Sequence, residues 1–446
     1  MKFVIVGGDA AGMSAASRAK RNQPDLEVTV LEQSGDVSYS ACGMPYNIAD
    51  PARDMEDLVV RRAEVFRTKQ GLDLRTGHRA LAIDRTARTV SGEQEDGRPF
   101  TIPYDALLIA TGASAVIPDR PGFTLPGVVA LKSLEDGRRI KERLAARKVA
   151  RAVILGMGYI ALEMCEALCA RNIAVEMVKP RPRFLPWMHP DLAAKVKQEV
   201  ESRGVGVHAG HEVERIEGQE DTLRVHCGDL TVEGQIVLVA VGVKPSNALA
   251  KGAGLELGPC ESISVDRTLR TSDPRIYAAG DCADAYHVVT GAKTWVPLAL
   301  RANRAGWAVA DNVTGRKTEL EGVAGTSVFK VFDMEVARTG LNASEAKAEG
   351  FDPVETVIEA RSRAHAHPGA SPLLVQMVGD RQSGRLLGAQ MVGKEGVVHR
   401  VYALAVALHQ KMTVEAFSQC DLAYAPPFGP VWDPMLTAAN QLVKLL

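Results

Sequence analysis

The hydrophobic positions of this chain fall into two kinds of run. Short, mainly apolar stretches, at residues 2–7, 28–31, 152–155 and 174–178, read as buried strands of parallel sheets. Within each pair of strands lies an Ala-rich helical stretch, from Met13 to Lys20 in the first and from Tyr159 to about Arg171 in the second. The order strand, glycine turn, helix, strand is thus written twice. Two strand-plus-glycine segments, Leu107 to Ala113 and Val237 to Pro245, also resemble each other, as a duplicated architecture predicts. A helix follows from about Leu298 to Thr314. From about Val323 the pattern changes to alternating strands (Thr326 to Phe332, Leu373 to Val378, Leu386 to Val392) and later helices, with no glycine fingerprint. Residues 423–430 carry too much proline for a helix or a central strand.

Gly7-Gly8-Asp9-Ala10-Ala11-Gly12 joins the first strand to the first helix, and Glu32 follows twenty residues beyond Gly12. This is the dinucleotide-binding βαβ unit. Gly7 makes the tight turn, the backbone through Gly8, Ala11 and Gly12 faces a pyrophosphate, and Glu32 accepts from ribose hydroxyls. Asp9 holds the middle glycine position, a departure from the usual spacing. The second unit reads Gly156-Met-Gly158-Tyr-Ile-Ala161-Leu-Glu163, with Ala161 at the third glycine position. Its strand ends in Lys179, followed by Arg181 and Arg183. An acid there suits the bare 2′-hydroxyl of NAD, whereas a cation suits the 2′-phosphate of NADP. The contrast assigns FAD to the first unit and NADPH to the second, with a solvated basic turn as the alternative account of the cations.

With 446 residues and 46% hydrophobic side chains, the chain has material for two or three domains. A net charge of −1 offers no general surface for nucleic acid or an acidic membrane. The first strand begins at once, leaving no room for a signal peptide, and no apolar run approaches the ~18–20 residues that span a bilayer. The expectation is a soluble cytoplasmic enzyme. Seven scattered cysteines suggest neither a disulfide framework nor a metal site, and six of them read as packing residues. Cys42 stands apart, in Ser38-Tyr-Ser-Ala-Cys-Gly-Met-Pro-Tyr46, with no CxxC or CxxxxC around it. A single thiol beside a flavin must complete its redox cycle with a small thiol, a sulfane sulfur or an oxygen atom.

Those motifs, together with Ala110-Thr-Gly-Ala-Ser114, Ala278-Ala-Gly-Asp-Cys-Ala-Asp284, residues 331–341 and 388–396, and Ala423-Tyr-Ala-Pro-Pro-Phe428, span nearly the whole chain in order. They resemble the single-cysteine branch of the FAD-dependent pyridine nucleotide-disulfide oxidoreductases. That branch includes coenzyme A-disulfide reductases, NAD(P)H oxidases and peroxidases, and persulfide reductases. The resemblance implies an α/β fold with two Rossmann-like dinucleotide-binding domains and a C-terminal α+β dimerisation domain. The FAD domain would take residues 1–113 and 246–322, the NAD(P)H domain 114–245, and the dimerisation domain 323–446. It implies FAD contacts at Gln33, Ala80, Ala110, Thr111, Gly112, Gly280, Asp281, Pro297, Leu298 and Ala299. On the nicotinamide side it implies Ile160, Glu163, Gly242 and a gate residue, Tyr159. In the reductases a tyrosine in the proline-rich segment reaches the partner subunit's cysteine as a proton donor, which here would be Tyr424. A second family tyrosine is replaced by His367, which takes over that proton or stays a solvated loop residue. Arg18 and Arg61, with Ser38, resemble the family's coenzyme A rim.

The leading expectation is NADPH-dependent reduction of coenzyme A disulfide, through a mixed disulfide of coenzyme A with Cys42. NADH is also possible as the reductant. Attack needs thiolate, so a depressed Cys42 pKa is expected from a helix N-terminus and the flavin. The rivals are an oxidase or peroxidase cycling through sulfenic acid, a persulfide or polysulfide reductase, and a redox-sensing module with little turnover. The expected partners are a small disulfide or sulfane-sulfur substrate and a second copy of the chain.

Overall fold

The computed structural model describes residues 1–219 and 221–446. The duplicated pattern becomes two five-stranded parallel sheets. The first runs in the order Ile276–Ala278, Ala106–Ile109, Lys2–Val6, Glu27–Leu31, Asp73–Arg75. The second runs Gly206–Ala209, Ala174–Lys179, Arg151–Leu155, Ile236–Val239, Val128–Val129. Their central strands are buried along their length (Phe3 to Val6, Ala152 to Leu155), which is why those sequence runs are unbroken rather than alternating. Each sheet is accompanied by a three-stranded antiparallel meander, His78–Asp84 to Pro99–Pro103 in one case and Arg215–Gln219 to Leu230–Gly234 in the other.

The chain crosses between the two sheets twice, and the crossing segments Ala113–Ala115 and Val243–Pro245 pair with each other as antiparallel strands. We propose these crossings as the limits of the inserted nicotinamide domain.

The C-terminal region is a five-stranded antiparallel sheet in the order Ser327–Val331, Met334–Gly340, Leu386–Gly393, Pro372–Asp380, Pro353–Arg361. Alternate residues serve two cores. Leu373, Val375 and Met391 pack under helices Val397–His409 and Pro434–Val443. Leu374 and Val392, with Phe329 and Val331, join the core of the nicotinamide domain. That second contact holds the C-terminal region against the cysteine segment, because Met44, Ile48, Met55 and Leu58 belong to the same core.

Candidate active site

Both fingerprint turns close on a glycine that tolerates no side chain. Gly7 has φ +114° and Gly156 has φ +118°, and a Cβ on either would lie 2.2 Å from a carbonyl oxygen, of Ala110 and Ala240 respectively. Their N–H groups donate to Leu31 (2.9 Å) and Val178 (2.8 Å), fixing each turn to the end of the neighbouring strand. Helices Ala10–Asn22 and Tyr159–Cys169 then begin with no side-chain cap. By contrast, helices Leu134–Ala146 and Ala343–Ala348 are closed by capping boxes. Free N–H groups at the helix starts, and open space above Gly112, Gly158 and Gly242, where an added Cβ would meet nothing within 4 Å, fit a diphosphate at each turn.

The segments expected around FAD converge on the first turn. Glu32 accepts from the N–H groups of Gly8 and Ser34, both at 2.8 Å, with Gln33 exposed beside it. Gly280, at φ +83°, lets its loop approach so closely that an added Cβ would lie 3.1 Å from the Ala11 side chain. Thr111 donates its hydroxyl to the Ser246 carbonyl at 2.6 Å. Ala80 sits at an irregularity of its strand, two residues after His78, whose N–H donates to the Glu32 carbonyl at 2.9 Å. Pro297, Leu298 and Ala299 lead into helix Ala299–Val313, whose start is also uncapped.

Cys42 lies in a single 3-10 turn, Ala41–Gly43, ahead of the short helix Met44–Ala49. The segment before it hangs from the first fingerprint. Ser38 N–H donates to the Gly8 carbonyl at 3.0 Å, and Tyr39 N–H donates to Asp9 Oδ1 at 3.3 Å. Tyr46, one turn beyond the cysteine, donates its hydroxyl to Glu163 Oε1 at 3.2 Å and so links the cysteine helix to the second fingerprint helix. Cys42 is exposed as a residue, and all seven cysteines are free thiols.

The electrostatics run against the expected activated thiol. Burial of the sulfur pushes the Cys42 thiol above its ordinary range, the charge of Glu163 adds to that, and Asp281 and Asp9 contribute in the same direction. The charge of Lys132 pulls it down. Lys132 Nζ lies 3.4 Å from Asp281 Oδ2, which divides its attention between thiol and carboxylate. Asp9 is itself pushed up to about 6, first by burial and then by Glu32 and Asp281, against the Tyr39 N–H and Lys132. Burial and the Glu163 charge push Tyr46 up to about 12, so it carries its proton at neutral pH. Burial and the surrounding carboxylates of the chain therefore favour the Cys42 thiol over the thiolate.

Two family models together match most of the chain. Residues 1–306 match the pyridine nucleotide-disulphide oxidoreductase family, and residues 326–435 match that family's dimerisation domain. The chain belongs to the pyridine nucleotide-disulphide oxidoreductases. It is 36% identical to an NAD(P)H sulfur oxidoreductase (CoA-dependent) of Pyrococcus furiosus over 99% of both chains. It is 30% identical to a coenzyme A disulfide reductase of Staphylococcus aureus over 96% of both. Among solved structures, an NAD-dependent persulfide reductase from A. fulgidus superposes with a TM-score of 0.96 at 35% identity, covering all of this chain and 83% of that one.

Within this oxidoreductase frame, several expected residues take other seats. Lys179 is only 8% exposed, and its ammonium donates to the Arg183 carbonyl at 2.8 Å. It points inward along its own turn, whereas Arg181 and Arg183 remain exposed. Arg18, expected at the substrate rim, is part-exposed and already holds a carboxylate. Its Nε and Nη2 clamp Asp311 at 2.8 and 2.7 Å, and its guanidinium lies 5.1 Å over the Trp307 ring. Arg61 is exposed, and its N–H and that of Val60 both approach the Ser38 carbonyl, at 3.4 and 2.9 Å, so Ser38 and Arg61 do share one surface. The Tyr159 ring packs against Trp187 and Phe329, with its hydroxyl 3.1 Å from Ser327 Oγ. A gate at Tyr159 would have to leave the C-terminal sheet to move. Ile160, beside it, is exposed.

His367 and Tyr424 belong to two loops that touch, through Ala364 N–H donating to the Pro426 carbonyl at 3.1 Å. Tyr424 is 49% exposed and Phe428 80% exposed. Lys132, Tyr46 and Asp9 escaped the sequence argument as site residues. Tyr46 could have been found, since it stands four residues after Cys42 and four is one helical turn. Lys132 carries no such signal: its place beside Asp281 comes from folding across 149 residues of sequence separation.

Proposed function

We propose that the protein is an FAD-dependent NADPH:disulfide oxidoreductase that reduces coenzyme A disulfide at the single thiol of Cys42. The observation that carries this reading is the seat of Cys42, exposed between the two fingerprint helices and bonded to no second cysteine. Such a thiol has to exchange with a sulfur that arrives from outside. The names of the relatives, coenzyme A disulfide reductase and CoA-dependent sulfur oxidoreductase, support coenzyme A as its carrier. Bound FAD would supply the two-electron relay between NADPH and sulfur.

The chain's own residues would do the following. Gly7, Gly8, Ala11 and Gly12 admit one diphosphate, and Glu32 holds the ribose. Gly156 and Gly158 admit the other, with Arg181 rather than Lys179 meeting the 2′-phosphate. Cys42 Sγ attacks one sulfur of the substrate, forming a mixed disulfide and expelling one coenzyme A thiolate. Two electrons then cleave that mixed disulfide, returning the Cys42 thiolate and releasing the second coenzyme A. The sum is one NADPH and one proton consumed for two thiols formed. Burial, followed by the charges of Glu163, Asp281 and Asp9, disfavours a thiolate, and Lys132 opposes them during attack. Tyr424 of the partner subunit, with His367 in the adjoining loop, would protonate the leaving sulfur in a homodimer formed through the C-terminal domain. Arg61 and Ser38 would meet the coenzyme A phosphates.

Incubation of the flavoprotein with coenzyme A disulfide, followed by peptide mass spectrometry, tests the step directly. A coenzyme A adduct on the peptide containing Cys42, removed by NADPH, is the expected result. A persulfide on Cys42 formed from polysulfide, with no coenzyme A adduct, would move the assignment to sulfane-sulfur reduction.

A further inference from the structure

Arg301 stands in the first turn of helix Ala299–Val313 and is only 8% exposed. Its fork donates solely to backbone carbonyls. Nη1 reaches Gly280 (3.4 Å) and Val296 (3.2 Å), and Nη2 reaches Ala283 (2.8 Å) and Asp284. No carboxylate oxygen pairs with it among the described residues. The two nearby acids have other cations, Asp281 with Lys132 at 3.4 Å and Asp284 with Lys293 at 3.3 Å. A full positive charge is therefore kept inside the protein with carbonyl oxygens as its only direct hydrogen-bond partners among the described residues, and Asp281 and Asp284 act on it only through space, although burial of a cation without a direct ion pair is costly. Holding four carbonyls would not by itself need a charge, since neutral amide donors can do the same. The uncapped start of the same helix adds partial positive charge at the same place.

We propose that Arg301 is a positioning residue for the flavin, fixing the 280–284 loop to the 296–299 segment while its buried charge favours the reduced cofactor. The proposal rests on the reading that those two segments line the FAD site. Two-electron reduction by NADPH leaves a negative charge on the flavin ring, and a fixed cation in a poorly solvated wall stabilises that state over the neutral oxidised one.

The test uses the full-length flavoprotein and two variants that separate charge from hydrogen bonding. R301K keeps the charge and loses the fork; R301Q keeps an amide donor and loses the charge. At a fixed dye potential, R301Q should show a ratio of reduced to oxidised flavin about tenfold below the parent, about 30 mV for a two-electron couple. R301K should stay within about threefold of the parent. Sulfite, which adds to oxidised flavin and leaves the ring negative, should bind more weakly to R301Q and normally to R301K. Parent-like potentials in both variants, or equal shifts in both, would overturn the charge assignment. D281A checks the underlying site separately: FAD affinity equal to the parent's would sink the placement of the cofactor, whatever the potentials show.

Discussion

Gly12 and Gly158 occupy the same motif in the two fingerprint units and should respond oppositely to one methyl group. A Cβ on Gly12 would lie 1.8 Å from the Gly7 carbonyl oxygen and 3.2 Å from Ile5 Cγ2. Normal contact needs well over 3 Å, so helix Ala10–Asn22 would have to retreat by more than about 1 Å from a fully packed sheet. Overpacking of this kind costs about 1–3 kcal/mol, and the rigid backbone on both sides puts G12A at about 3 kcal/mol. Gly158 has φ −87° and ψ −171°, open to any residue, and no atom lies within 4 Å of an added Cβ. G158A should therefore change stability by less than about 0.5 kcal/mol. Its methyl group would nevertheless occupy the space assigned to the NADPH diphosphate, and a loss of about 1.4 kcal/mol there is tenfold in affinity. The assays are thermal release of FAD, followed by flavin fluorescence, and anaerobic titration with NADPH. G12A should release FAD several degrees earlier, while G158A should melt like the parent and bind NADPH at least tenfold more weakly. Parent-like NADPH affinity in G158A would refute the use made of that open space.

Other outcomes follow from side chains whose seats the structure defines. R181A should raise the KM for NADPH about tenfold and leave NADH unchanged, while K179M should move the ratio of the two less than threefold; steady-state kinetics with both coenzymes decide. R18A should destabilise the protein by about 1–2 kcal/mol through loss of the Asp311 clamp, yet leave the KM for coenzyme A disulfide within about twofold. Burial holds the His287 imidazole down to about 4 from its ordinary 6.5, with Nδ1 accepting from Val289 N–H at 3.2 Å. A depressed histidine favours the folded state fully above 6.5 and loses that contribution as pH falls from 6.5 to 4. H287N should flatten this part of the thermal stability profile, and an unchanged acid limb would contradict the assignment.

The parts of the fold visible in the sequence are those set by local rules. Gly7 and Gly156 announce their turns because only glycine reaches their φ next to a strand end, and unbroken runs such as Phe3 to Val6 follow from burial on both faces. Strands Met334–Gly340 and Pro353–Arg361 carry no plain signal in the sequence. Both mix charged and apolar residues, since Arg338 faces Glu345 and the Trp187 ring while Glu355 accepts from Gln376, so hydrophobic alternation is broken. The site was legible as to residue type but not orientation. A cation after the second strand is plain in the sequence, but that Lys179 turns inward to the Arg183 carbonyl depends on packing. Arg18 could not be separated from a solvated helix face because its partner, Asp311, lies 293 residues away. The charge around Cys42 comes from Asp9, Lys132, Glu163 and Asp281, four distant segments that local reasoning cannot add together.

In the proposed reaction, electrons pass from NADPH to a coenzyme A disulfide through Cys42. Anaerobic NADPH oxidation by the purified flavoprotein, with coenzyme A disulfide as sole acceptor and the C42S protein alongside, tests it most directly. The expected result is turnover with two thiols formed per NADPH by the parent, and FAD reduction without turnover by C42S. Disulfide reduction that survives in C42S, or flavin reduction in the parent with no thiol released, would contradict it.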